Sequence, residues 1–234
     1  MTDPVRAPDA ANPDYTLYAD WRSAASFRVR VALNMKGLQA EERRIDLGAG
    51  EQHGPAYRAL SPLGGLPTLV PAGHAPITQS MAILEFLEES HPAPALLPND
   101  RHGRARVRSL AGMIASDTHP LITPRIRQYM GQHMAQTMPI DDAAWRAWQT
   151  HWFGTGLRAV EQRLASEADT GAFCHGDAVT MADICLASVL AVMGVLRIDI
   201  GGLPTIERIV ARCHTLDAFA RAQPARQVGA PAAG

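Results

Sequence analysis

Apolar positions change rhythm near residue 92 of this 234-residue chain. Before that point they come in short runs broken by glycine and proline; after it they come in long helical stretches. Thr16 to Ala19 reads as a short strand. A helix is predicted from Ser26, because Phe27, Val31 and Met35 recur at four-residue steps and Gly37 ends the pattern. Glu42 to Leu47, Leu66 to Val70 and Pro76 to Thr78 read as further strands. Ser80 through Glu89 reads as a helix with Ile83, Leu84 and Leu87 on one face. Strand, helix, strand, hairpin and helix predict a small α/β domain over 15–91.

The segment from His91 to Pro98 is rich in proline and lacks either periodicity, so 92–99 is expected to be a linker. From there to 222 the pattern is helical almost throughout. Val107, Leu110 and Ile114 share a face, as do Trp145, Trp148 and Trp152, and Leu157, Val160 and Leu164. The tryptophan stripe is read as core rather than as a stacking site. Thr180-Met181-Ala182-Asp183 has the form of a capping box, and the apolar run Ile184 to Leu196 follows it. Residues 1–14 and 223–234 are expected to be disordered extensions.

Composition narrows the function classes. Basic and acidic residues number 22 and 23, a net charge of −1, so nothing overall favours nucleic acid or an anionic membrane. No apolar run reaches the roughly 20 residues of a membrane span, and Met1 to Pro13 does not resemble a signal peptide. Cys174, Cys185 and Cys213 form neither a redox pair nor a ligand cluster. His53, His74, His91, His102 and His133 lack metal-ligand spacing, so no metal is expected. Lys36 is the single lysine, and no function is drawn from it. A cytoplasmic protein is the expectation.

Candidate chemistry concentrates in the first part. The turn Trp21 to Ser26 leads into the first helix, whose unpaired N–H groups and positive dipole end favour an anion, with a serine hydroxyl as an added donor. Ser23 or Ser26 could equally be a plain helix cap. Leu66-Pro67 precedes a strand; a cis bond there would turn the Leu66 backbone groups toward an extended peptide, whereas a trans bond would mark an ordinary turn. Gln79-Ser80 opens the next helix and could hold a carboxylate or simply cap it.

In that order along the chain, Ser-x-x-Ser-x-Arg-x-Arg-x-Ala-Leu, the Leu-Pro before a strand and Gln-Ser-x-Ala-Ile-x-Glu-x-Leu-Glu-Glu resemble the cytosolic glutathione transferases. The chain is most similar to their zeta class, which includes the maleylacetoacetate and maleylpyruvate isomerases. His119-Pro120 and Thr180 to Leu186 extend the resemblance into the helical part. It implies a thioredoxin-like N-terminal domain packed on an all-helical substrate-side domain, usually as a homodimer, with glutathione as cofactor. Carried over, Ser23 faces the glutathione sulfur, Leu66 before Pro67 pairs with the cysteinyl backbone, Gln79 and Ser80 hold the γ-glutamyl end, and His119 approaches glutathione. Arg22 and Arg125 fall where related isomerases bind the carboxylates of a maleyl-type keto acid. Arg28 and Arg30 are assigned to structure.

The chain also departs from the zeta pattern. Ala24-Ala25 stand where that class has Ser-Cys, Gly64-Gly65 replace a Lys/Gln pair, and Val195 replaces an arginine. Arg197 lies two residues further, about 200° around a continuing helix. The implied chemistry is reversible thiolate addition to a cis double bond, its rotation, and release of a trans product. A hydroxyl donor and a helix end contribute about 2–3 kcal/mol to ionising the thiol, or about two pKa units. Two other readings are open: a general transferase that conjugates an electrophile, and a non-catalytic binding scaffold.

Overall fold

The structure, a computed structural model, describes residues 14–134, 136–137 and 139–231. Apart from Asp14, the expected extension 1–14 lies outside the described residues, as do 232–234. Strand β1 (Tyr15–Ala19) alternates buried and half-buried positions, the period-two signature of a strand with one face on a core. It runs parallel to β2 (Ala40–Arg44) and antiparallel to β3 (Thr68–Pro71), which pairs in turn with β4 (Ile77–Thr78). The sheet order is β2-β1-β3-β4. A parallel neighbour requires a crossover, and α1 (Ala24–Met35) provides it.

Several boundaries differ from the sequence reading. Helix α1 begins at Ala24 rather than Ser26, because Ser23 is its capping residue. Strand β2 ends at Arg44, not Leu47; its charged residues lie on an exposed sheet edge and carry no period. The unpredicted α2 (Pro55–Arg58) is a single turn, too short for a periodic signal. Helix α3 (Ser80–Ser90) closes the α/β unit.

The remainder is helical: α4 (Arg101–Gly112), a π-helical segment Met113–Thr118, a 3-10 turn His119–Ile122, and α5 (Pro124–His133). Then come α6 (Asp142–Ser166), α7 (Met181–Leu196), α8 (Pro204–His214) and α9 (Asp217–Ala222). The chain is therefore a thioredoxin-like α/β unit followed by an all-helical one. The tail predicted to be disordered from Gln223 instead continues into a short 3-10 turn, Pro224–Arg226. Pro224 is buried there, and Gln227 Nε2 donates to the carbonyls of Arg221 and Gln223.

One core cluster joins the two units, and α1 runs through it. Every residue of α1 from Ala24 to Leu33 is buried, the mark of a helix enclosed on all sides. It packs against α3 within its own unit and against α7 and α9 of the other. Phe27 meets Phe219 of α9 at a ring separation of 6.5 Å, and Asn34 Nδ2 donates to Ala218 O at 3.0 Å. The capping box at Thr180 is present as read, with Asp183 accepting from the N–H and hydroxyl of Thr180 and from Cys174 N–H.

Lys36 has a structural purpose. Its side chain is 0% exposed; Nζ pairs with Glu88 at 3.0 Å and donates to the carbonyls of His91 and Pro94. Glu88 in turn accepts from the N–H groups of Leu96 and Leu97. The end of α1, the end of α3 and the proline-rich connection are thus tied at one buried ion pair. A second tight junction sits beside the π-helical segment. Helix α6 runs unbroken through Gly154 and Gly156, and a Cβ on Gly156 would lie 1.9 Å from Thr118 Oγ1.

Both junctions yield stability predictions. Lys36→Met leaves the Glu88 carboxylate buried without its cation and lowers unfolding free energy by about 3 kcal/mol, read from urea midpoints. Gly156→Ala overpacks α6 against Thr118 and costs about 2 kcal/mol, whereas Gly131→Ala, with nothing within 4 Å of the new Cβ, leaves stability near or above wild type.

Candidate active site

The carboxyl end of β1 leads into the turn Asp20–Ser23 and the start of α1. Asp20, 1% exposed, accepts from Arg22 N–H, while Ser23 N–H donates to Asp20 O. Ser23 Oγ accepts from Ser26 N–H at 3.1 Å, so Ser23 is a helix cap. That role uses only an acceptor lone pair of the hydroxyl, and its hydrogen stays available to an anion. The N–H groups of Ala24 and Ala25, ahead of the first intrahelical bonds, point the same positive end of the helix. Cap and thiol-facing donor are therefore compatible assignments for one serine.

The second wall is the turn before β3. Leu66-Pro67 is cis. Tyr57 Oη and Ser61 Oγ both donate to Gly65 O, at 2.7 and 3.1 Å, and hold the approach to it. Among the described residues, the Leu66 N–H and C=O make no hydrogen bond. Gly64 adopts φ +68°, and a Cβ there would lie 2.7 Å from Gln52 O, so glycine is required at that position. Gly65 is open, and only there does the departure from the zeta pattern remove a side chain facing space.

The third wall is the start of α3. Gln79 is exposed, with φ +71° and ψ 113°, a conformation a non-glycine residue holds only when its surroundings impose it. No side chain caps α3, which leaves its first N–H groups for an external acceptor. A cavity of about 240 Å³ joins the second and third walls, lined by Ser61, Leu63, Gly65, Leu66, Pro67 and Gln79 among others. Uncapped amides at one end, unpaired Leu66 backbone groups in the middle and the Ser23 hydroxyl beyond suit an extended peptide with a terminal carboxylate and a thiol. Glutathione has those groups.

In the helical unit, His119 is the first residue of the 3-10 turn after the π-helical segment. Trp148 Nε1 donates to Leu121 O at 2.8 Å and braces that turn, and Gly156 lets α6 approach Thr118 just before it. The tryptophan stripe read as core is only partly so: Trp145 is buried, while Trp148 and Trp152 are half-buried, Trp152 packed against the core. Burial pushes the His119 pKa down to about 3, and the like charges of Arg28 and Arg125 act in the same direction. His119 is therefore neutral over the physiological range.

The candidate arginines differ in surroundings. Arg22 is tethered: Nε lies 3.7 Å from Asp20, and Nη2 would be 3.3 Å from a Cβ on Gly48. Arg125, exposed in the first turn of α5, has no ion-pair partner among the described residues. Arg197 is exposed in a left-handed conformation that ends α7. Arg28, assigned to structure from the sequence, is buried beside Ser80 with no carboxylate partner. Its long-range contacts have no local sequence signal. Among the described residues, no group of three or more His, Cys, Asp and Glu is placed to hold a metal ion.

Comparison with known proteins agrees with this geometry. Residues 13–89 match the glutathione S-transferase N-terminal domain. A maleylpyruvate isomerase of Ralstonia sp. is 40% identical over 211 residues, 90% of this chain and 97% of that protein. A crystal structure of a maleylacetoacetate isomerase from Methylobacterium extorquens AM1, with bound malonate and glutathione, is 46% identical with a TM-score of 0.89, covering 93% of this chain and all (100%) of that one. The holo structure of a maleylpyruvate isomerase described as a bacterial zeta-class glutathione S-transferase is 38% identical with a TM-score of 0.87, covering 92% of this chain and 100% of that one. With such identity over almost its whole length, the chain belongs to the zeta-class glutathione transferases, in the branch of the maleylacetoacetate and maleylpyruvate isomerases.

Proposed function

We propose that this protein is a glutathione-dependent cis–trans isomerase of a maleyl keto acid of the maleylacetoacetate or maleylpyruvate type. The observation that carries the reading is the combination of an anion-stabilising α1 start with cations that lack carboxylate partners, Arg28 and Arg125, around a neutral His119. A doubly charged acid matches that charge, whereas a general hydrophobic electrophile does not. Residues 15–91 form the glutathione-binding domain and 100–222 the substrate-side domain in this reading.

Bound glutathione supplies a thiolate whose reversible addition frees the cis double bond to rotate. Ser23 donates its hydroxyl hydrogen to the sulfur while still capping α1, and together with the helix end it lowers the thiol pKa from near 8.5 by about two units. Leu66 offers its backbone groups to the cysteinyl residue, with Pro67 fixing the turn. Gln79, Ser80 and the first amides of α3 take the γ-glutamyl carboxylate. His119 donates or accepts a hydrogen bond at glutathione without adding charge. Arg125 and, from its tether on Asp20, Arg22 meet the substrate carboxylates and the negative charge that develops between them. The reading includes a homodimer, after the resemblance. It also places the protein in the cytoplasm, which the free, buried Cys174, Cys185 and Cys213 support. No described helix is long and apolar enough to cross a membrane.

Absorbance assays with maleylpyruvate and with maleylacetone test the proposal. Turnover is expected only with added glutathione, with product mass unchanged; a product heavier by the tripeptide would establish conjugation instead. Ser23→Ala should lower kcat about 30-fold, equivalent to one charge-assisted hydrogen bond, and raise the pH at which bound thiol ionises. Arg125→Ala should raise KM for the diacid about tenfold and leave glutathione affinity unchanged.

Protonation of His119 gives an independent check. Its native pKa near 3 lies below the ordinary 6.5, so between those values the unfolded chain binds a proton that the native state refuses. Native stability is then progressively lost as pH falls below 6.5, at up to about 1.4 kcal/mol per pH unit. Urea unfolding at pH 7 and pH 5 should show wild type losing about 1–2 kcal/mol more than His119→Gln.

A further inference from the structure

Among the described residues, Arg28, Arg30 and Arg106 are the buried arginines, and they are satisfied very differently. Arg30 makes a two-pronged pair with Glu42, at 2.9 and 2.6 Å, and donates to Asp20 O. Arg106 pairs with Glu167 and donates to Cys174 O and Thr170 Oγ1. Arg28 is 1% exposed and meets only two hydroxyls: Nε donates to Ser188 Oγ at 2.9 Å and Nη1 to Ser80 Oγ at 3.2 Å. Its Nη2 is buried with no partner. A guanidinium carries five N–H donors, so most of its capacity and all of its charge are uncompensated. Such a group weakens a fold, so its presence points to a role in the site that its hydroxyl partner Ser80 adjoins.

The hydroxyls fix the direction of the effect. Ser188 gives its own hydrogen to Cys185 O at 2.6 Å, and its oxygen accepts from Arg28. Ser80 Oγ also accepts from Arg28, which leaves its hydrogen to point away from the guanidinium. Ser80 is the first residue of α3, beside the uncapped amides. We propose that Arg28 is a positioning residue for the bound cofactor: it locks the Ser80 hydroxyl as a donor toward the carboxylate at the start of α3. This role rests on the reading of α3 as the γ-glutamyl site. Arg28 does not touch the ligand; it acts through Ser80.

The same charge reaches the other side of the site. The charged groups acting on His119 are Arg28 from α1 and Arg125 from α5, and beside Arg28 on α7 lies Cys185, whose thiol burial keeps protonated. One interior cation therefore biases both the carboxylate site and the histidine.

The test uses the full chain with Arg28→Met and Arg28→Lys. A structural arginine and a positioning one predict opposite patterns. Arg28→Met should leave the thermal midpoint unchanged or raise it, while the calorimetric Kd for glutathione rises tenfold or more. Arg28→Lys, which keeps the charge, should recover part of that loss. On a Ser80→Ala background, Arg28→Met should change Kd less than twofold, because its effect passes through the missing hydroxyl. In ligand-free protein the His119 ring signals, followed by NMR, should titrate at higher pH in Arg28→Met than in wild type. A lowered midpoint with Kd unchanged, or full additivity with Ser80→Ala, overturns the role while wild-type glutathione binding stands. Failure of wild type to bind glutathione overturns the functional reading and this role with it.

Discussion

The constraint on which the molecule depends is the complete enclosure of α1. A helix buried on every side must satisfy its polar residues internally, and α1 carries Ser26, Arg28 and Arg30 as well as its apolar set. Ser26 is met by the β1–α1 turn and Arg30 by β2, while Arg28 is met only in part, by hydroxyls of α3 and α7. The same enclosure fixes where the helix begins, and so fixes the positive end at Ser23. The two units cannot separate without exposing this helix.

Local pattern was enough for the elements that have a period. Strand β1 alternates, α3 carries one apolar face, and the Thr180 box announces α7. It failed where the physics is not local. Edge strand β2 has no buried face to impose an alternation, so its register slid by two or more residues in the reading. Helix α6 passes through Gly154 and Gly156, and at Gly156 the close approach of Thr118 outweighs the poor intrinsic helix preference of glycine. In the tail, Pro224 is buried by partners elsewhere in the fold, which composition cannot show.

The candidate site divides in the same way. Ser23, Leu66, Pro67, Gln79 and Ser80 sit at element boundaries, where turns, caps and proline leave a mark in the sequence, and the fold brings their segments to one end of the sheet. Arg28 left no such mark. It sits mid-helix, two residues from an arginine that is structural, and its partner Ser188 is 160 residues away. The departures at Ala24-Ala25 carry less weight than the sequence comparison implied. Both side chains are buried against the core, at 1% and 7% exposure, so the positions serve packing while their backbone N–H groups serve the helix end. Gly64, likewise, answers to the backbone of Gln52 before any ligand.

A net charge of −1 gives no hint of a cationic site, because a sum over the chain does not show which cations have a carboxylate beside them. Arg43, Arg44, Arg106, Arg108 and Arg163 each have a carboxylate within reach. Arg28 and Arg125 do not, and both act on His119. Keeping that histidine neutral has a chemical logic. A full charge on that ring would pair with a nearby thiolate and weaken its attack, whereas a neutral ring offers hydrogen bonding alone. In the proposed function, fixed charge acts where the diacid binds and the dipole of α1 acts where the sulfur ionises. Separating those two tasks lets one site stabilise an anion and still release it unchanged at the end of each turnover, as a catalyst using a regenerated thiol requires.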